Sequence, residues 1–142
     1  MTETTHRTSE PPSLAVRGGL AVALAVLVNV GLVLGTGALD IGPEFRALTI
    51  PPVALLSALG ASGATVVYWL LGRQVADPDR TFVRVATAVL LLSFVPDLGL
   101  LVTDPAATSL AVVVLMGMHV VVAAVSVGLL VSWNGGPSLS AR

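Results

Sequence analysis

The hydrophobic positions in this chain fall neither in alternation nor on one narrow helical stripe. They come in four runs, over residues 14–35, 51–71, 82–102 and 108–131. Crossing a hydrocarbon core about 30 Å thick takes about 20 apolar residues, and each run is of that order. Polar and helix-breaking residues gather between them. Residues 36–50 hold Gly37, Gly42 and Pro43 with Asp40, Glu44 and Arg46, residues 72–81 hold Arg73, Asp77, Pro78 and Arg80, and Thr103-Asp104-Pro105 parts the last two runs. Lipid offers the backbone no hydrogen bonds, so an isolated run that crosses it has to be helical. The pattern predicts an all-α fold, a four-transmembrane-helix up-down-up-down bundle forming one membrane domain over residues 14–133. Residues 1–13 are polar and end in Pro-Pro-Ser, and are expected to be a disordered cytoplasmic tail; residues 134–142, polar and rich in Gly, Pro and Ser, are expected to be a second cytoplasmic tail.

Local signals refine the helix ends. Pro51-Pro52 suits the first turn of the second helix, where the missing N–H is no loss. Asp77-Pro78 and Asp104-Pro105 each read as a capping carboxylate followed by proline at the first helical position, which starts the third and fourth helices there. Gly31 and Gly35 stand at the GxxxG spacing that lets a second helix approach closely, and Ala54, Ala58, Ala61 and Thr65 form a small-residue face on the second helix. Tyr68 and Trp69, at that helix's far end, fit an interfacial aromatic belt.

Composition supports the same class. The 142 residues are 55% hydrophobic and 11% charged, with mean hydropathy +0.94. Soluble domains carry about 25% charged residues, so this chain could not cover a water-facing surface. The absence of cysteine excludes disulfides, thiol chemistry and thiolate metal sites. A net charge of −1 gives no electrostatic ground for binding nucleic acid. All seven basic residues are arginine, and alternating crossings would put Arg7, Arg17, Arg73, Arg80, Arg84 and Arg142 on one side against Arg46 on the other. The positive-inside rule then places both termini in the cytoplasm of a multi-pass plasma-membrane protein. The first apolar run exceeds the 7–15 residues of a signal peptide core, and the residues before it are mixed in charge.

Against this apolar background a few polar side chains stand out. Asp97 in the third run and His119 in the fourth are ionisable groups at hydrocarbon depth, where such residues mark functional sites by default. Asn29 lies near the middle of the first run. On the third helix Ala86, Leu90, Ser93 and Asp97 share a face, and on the fourth Val112, His119, Ala123 and Ser126 do. Pro96 removes a backbone hydrogen bond to Leu92 and introduces a helix kink beside Asp97. At a rise of 1.5 Å per residue, Asp97 and His119 differ in height by roughly 10 Å when helix four is counted from Pro105, leaving room for Asn29, Ser93 or water between them.

Three readings of Asp97, His119, Asn29, Ser93 and Ser126 stand side by side. They form a structural polar cluster that fixes helix register, a proton-linked or small-solute site that exploits an imidazole titrating near neutrality, or a metal site. The third lacks a third ligand, so no metal and no cofactor is expected. No nucleophile elbow, phosphate loop or HExxH pattern occurs, so no catalytic residue is assigned.

The segment from Phe82 to Leu130, with Ser93 and Pro96 in one helix and Met118-His119 before aliphatic and small residues in the next, resembles a small family of uncharacterised four-helix integral membrane proteins from GC-rich prokaryotes. That resemblance implies four spans and no assigned activity. The expected function is a non-enzymatic structural or accessory, oligomeric membrane subunit. The alternative is proton-linked or small-solute binding or transport at the Asp/His/Asn cluster. Expected partners are the lipid bilayer and a second copy or another membrane protein.

Overall fold

The computed structural model describes residues 12–131. The expected tails lie outside the described residues except at Pro12 and Ser13, where the Ser13 hydroxyl accepts a hydrogen bond from the Val16 N–H and caps the first helix. Four helices follow: α1 (Leu14–Ala38), α2 (Ile50–Gln74), α3 (Pro78–Thr103) and α4 (Ser109–Leu130), with a single 3-10 turn at Arg46–Leu48 before α2. All four are long and apolar enough to cross a membrane, and the described residues contain no strand. At 1.5 Å per residue, the 22 residues of the shortest, α4, extend about 33 Å.

The start of α3 is built as its sequence requires. Pro78 occupies the first turn, and the Asp77 carboxylate accepts from the Arg80 N–H at 3.1 Å. The start of α4 corrects the expectation. Asp104 does not cap it; Asp104 still terminates α3, its N–H donating to the Leu100 carbonyl, while its carboxylate accepts from the Ala106 N–H at 2.9 Å. The cap is Thr108, whose hydroxyl accepts from the Ala111 N–H. A residue closing one helix and turning the next two residues cannot also open a second, so α4 begins four residues after Pro105.

Helix α1 lies chiefly against α2 and α4, whereas α3 lies mainly along α4 and touches α2 over a shorter length. The buried positions of α1 include Gly18, Ala21, Ala25, Asn29 and Val33, one line at close to fourfold spacing. On α2 the buried line is Val53, Ser57, Ala61 and Tyr68, so of the expected face Ala61 is buried and Thr65 meets Gly18, while Ala54 and Ala58 are half-buried beside Val53 and Ser57. Tyr68 is another correction. It turns inward, its ring edge-on to Phe82 at 5.2 Å between centroids, and its hydroxyl donates to the Asp79 carboxylate at 2.6 Å. Trp69 points outward beneath the Arg73 guanidinium, 3.7 Å above its ring, a cation–π pairing.

At one end an apolar cluster joins Val33, Phe45, Leu48, Val53, Val112, Leu115 and Met118. Phe45 and Leu48 reach it from the connection between α1 and α2, which turns back through the left-handed backbone of Asp40 and Gly42. At the other end Tyr68, Phe82 and Leu130 form a second cluster. Beside it the Arg17 Nε–H donates to the Leu129 carbonyl at 2.9 Å. A guanidinium there completes the last turn of α4 and meets the negative end of its dipole.

Glycine separates contact from open surface here. A Cβ on Gly18 would stand 2.5 Å from Thr65 Cγ2, whereas Gly31 and Gly35 face open space with nothing within 4 Å. The GxxxG pair therefore makes no contact within this fold, and the close helix crossing is at Gly18 and Thr65. Thr65 has little freedom to yield, because its hydroxyl donates to the Ala61 carbonyl. Gly18→Ala is expected to lower stability by about 1–3 kcal/mol through overpacking, measured by denaturant unfolding in micelles. Gly31→Ala and Gly35→Ala should stay within about 0.5 kcal/mol of wild type.

Candidate functional site

Three helices surround a cavity of about 440 Å³, with α1 contributing Asn29 at its back. From α3 it is lined by Ala86, Leu90, Ser93, Pro96 and Asp97, from α4 by His119, Ala123 and Ser126, and from α2 by Ser57 and Gly60. All five expected polar residues thus line one space, and Pro96 lies beside them. Most of the remaining wall is aliphatic.

Asp97 and His119 meet directly, in contrast to the expected separation. His119 Nδ1 lies 3.1 Å from Asp97 Oδ2. Two causes close the gap. Counting from Ser109, ten residues place His119 about 15 Å into α4, and six place Asp97 about 9 Å from the end of α3. Side chains also lean toward the N-terminus of their own helix. Asp97 leans away from the turn at residues 104–108 and His119 leans toward it, so the two converge.

The proton positions follow from partners. His119 Nδ1 is also 3.0 Å from the Leu115 carbonyl. A carbonyl only accepts, so Nδ1 carries hydrogen and points it at Leu115, one turn back along α4. Asp97 Oδ2 stands near the same nitrogen but off the hydrogen-bond direction and has no hydrogen-bond partner among the described residues.

Asn29 is fixed in the same way. Its amide nitrogen donates to Ser57 Oγ at 2.8 Å and to the Met118 carbonyl at 3.2 Å. The second contact identifies the amide face, because a nitrogen must face an acceptor-only carbonyl. Asn29 thereby ties α1 to α2 and α4. Its own oxygen, Oδ1, remains unpartnered among the described residues although the residue is only 1% exposed. Ser126 Oγ is buried and unpartnered in the same sense. Ser93 does not join the cluster by hydrogen bonding, since its hydroxyl donates to the Leu90 carbonyl. Turning inward relieves a hydroxyl of lipid, and the carbonyl three residues back is the nearest acceptor.

Ser57 takes part without having been singled out by sequence. Ser57 sits among small residues that read as packing, and its partner Asn29 is 28 positions away. Away from the cavity, Arg17, which the sequence offered only as one of the arginines on one side, is 7% exposed and stands 6.0 Å over the Tyr68 ring. No third carboxylate or imidazole joins Asp97 and His119 among the described residues. The arrangement can hold and orient a small molecule by polar contacts at one end of an apolar space.

Over residues 9–134 the chain matches a protein family described only as being of unknown function. No curated protein and no solved structure matches it.

Proposed function

The chain belongs to that family, DUF6069, and we propose that this member is a non-enzymatic integral membrane protein that binds a small solute in its intramembrane cavity. The observation that carries this reading is that three buried polar atoms without a hydrogen bond among the described residues line a single cavity: Asn29 Oδ1, Ser126 Oγ, and Asp97 Oδ2, whose polar neighbour is the His119 imidazole 3.1 Å away. Buried polar groups normally find partners, because each left bare costs about 1–3 kcal/mol. A cluster serving only to fix helix register has no use for three of them on a cavity. A cavity of some 300–1,000 Å³ with apolar walls and a few convergent polar groups is the usual form of a ligand site.

The setting we propose is the plasma membrane, with four alternating crossings and cytoplasmic termini. Leu129, Arg17, Tyr68 and Asp79, from the end of α4, start of α1, end of α2 and start of α3, are linked in that order by successive contacts, which supports alternation. Arg73, Arg80 and Arg84 belong to those same ends, and Arg46 to the opposite connection. That asymmetry supports a cytoplasmic face at the Arg17 end.

Protein purified from native membranes in a mild detergent should retain a bilayer-derived small molecule, detected as a one-to-one adduct by native mass spectrometry. Ala86→Phe and Ala123→Phe, which fill the cavity from α3 and from α4, should each lose it while keeping the helical circular dichroism of wild type. Retention of the same adduct in both filled variants, or its absence from wild type, would sink the reading.

A further inference from the structure

The polar atoms left open in the cavity are chemically lopsided. Asn29 has both donors committed, to Ser57 and Met118, and offers only its carbonyl oxygen. His119 has committed the hydrogen on Nδ1 to Leu115. Asp97 offers a carboxylate oxygen without a hydrogen-bond partner. Ser126 can donate or accept, but the three nearest positions for a polar headgroup are dominated by acceptors. Asn29 contacts Met118, the residue beside His119, so Asn29, His119 and Asp97 stand at one level. Ser126 lies seven residues farther along α4, about 10 Å away.

From this imbalance we infer that the occupant is an amphiphilic amine, its N–H donors seated between Asp97 and Asn29 and its apolar body lying along the cavity toward Ser126. The inference rests on the binding reading given above and adds the chemical class. An ammonium group brings several N–H donors and a positive charge to Asn29 Oδ1, which accepts no hydrogen bond among the described residues, and to Asp97 Oδ2, whose one polar neighbour, His119 Nδ1 at 3.1 Å, has its hydrogen turned to Leu115. A fatty carboxylate would bring acceptors and negative charge to the same place, and a like-charged contact in so apolar a setting is strongly unfavourable. An alcohol brings one donor and no charge. The charge-assisted hydrogen bond of the amine is the stronger by roughly twofold.

The route of entry follows from the helix packing. Of the 26 residues of α3, only Phe82 and Asp97 are buried, and α3 meets α2 over a shorter length than it meets α4. A single-chain amphiphile can pass between α2 and α3 from the lipid side without first entering water.

Four probes of equal chain length test the class: decylamine, decanol, decanoate and decyltrimethylammonium. Each would be titrated into the full-length protein in nonionic micelles, with one-to-one binding read by native mass spectrometry. Decylamine is expected to bind at least tenfold more tightly than decanol, and decanoate not to bind. Decyltrimethylammonium, which has the charge but no N–H, should fall below decylamine. Asp97→Asn, nearly isosteric, should bring decylamine to the affinity of decanol. Equal binding of decylamine and decanol, or of decylamine and the quaternary amine, overturns the inference. If those probes then lose binding in Ala86→Phe, the cavity remains a ligand site of another class. If no probe binds and wild type carries no native adduct, the inference and the binding reading fall together. The probe series needs only wild-type protein, so a poorly folding variant does not decide the result.

Discussion

His119→Leu is expected to destabilise the protein by roughly 3 kcal/mol, whereas the double variant Asp97→Leu/His119→Leu should come close to wild type. The pair is unequal in its connections. His119 keeps a hydrogen bond to the Leu115 carbonyl whether or not Asp97 is present, while Asp97 Oδ2 has only the nearby imidazole. Removing His119 therefore strands a buried carboxyl group, and Asp97 is only 5% exposed. Removing Asp97 alone leaves an imidazole still satisfied at Nδ1, so Asp97→Leu should cost about 1 kcal/mol, near the mean for single substitutions. Replacing both removes the desolvation burden along with the contact. Unfolding in mixed micelles of wild type, both single variants and the double closes a thermodynamic cycle. A double-variant cost equal to the sum of the two single costs would show that the pair is not coupled.

Much of this architecture can be read from the chain because the bilayer imposes few solutions. Four apolar runs of about 20 residues can only be helices, and four are present. Asp97, His119 and Asn29 stood out in the sequence as the acid, imidazole and amide set well inside the runs, and with Ser93 and Ser126 they line one cavity, while Ser57, one of several hydroxyls in the runs, carried no signal of its own. What pattern could not supply was connection. The contact between Asp97 and His119 depends on α4 starting at Thr108 rather than Asp104, and two equally plausible caps separated by four residues shift every height on α4 by about 6 Å. The inward turn of Tyr68 depends on Asp79 across a three-residue link, which competes with the interfacial preference of a phenol. GxxxG spacing says that a helix can come close, and nothing about whether one does; at Gly31 and Gly35 none does, and at Gly18 one does. Phe45 and Leu48, in the least periodic part of the chain, fold onto the core because aliphatic surface of α4 would otherwise end uncovered there.

The sparse burial of α3 makes its anchors unusually consequential. One is Asp97 against His119, and the other is Phe82, 1% exposed and set between Tyr68 and Leu130. Phe82→Ala is expected to cost about 3 kcal/mol, the lower end for truncating a buried aromatic. The lower end applies because lipid supplies little hydrophobic drive between helices, so the loss is mainly of packing contacts. The greater effect falls on the helix as a whole. With Phe82 gone, the Asp79–Tyr68 hydrogen bond and the Asp97–His119 contact remain to hold α3, and the space between α2 and α3 should widen. The absence of native cysteine makes this measurable. Spin labels at Leu56→Cys on α2 and Val89→Cys on α3, both on the cavity wall, should give a narrow distance distribution in the parent protein and a broader, longer one with Phe82→Ala. A distribution unchanged by Phe82→Ala would mean that contacts along α4 hold α3 in place without this anchor, and that the opening toward α2 is not set by Phe82.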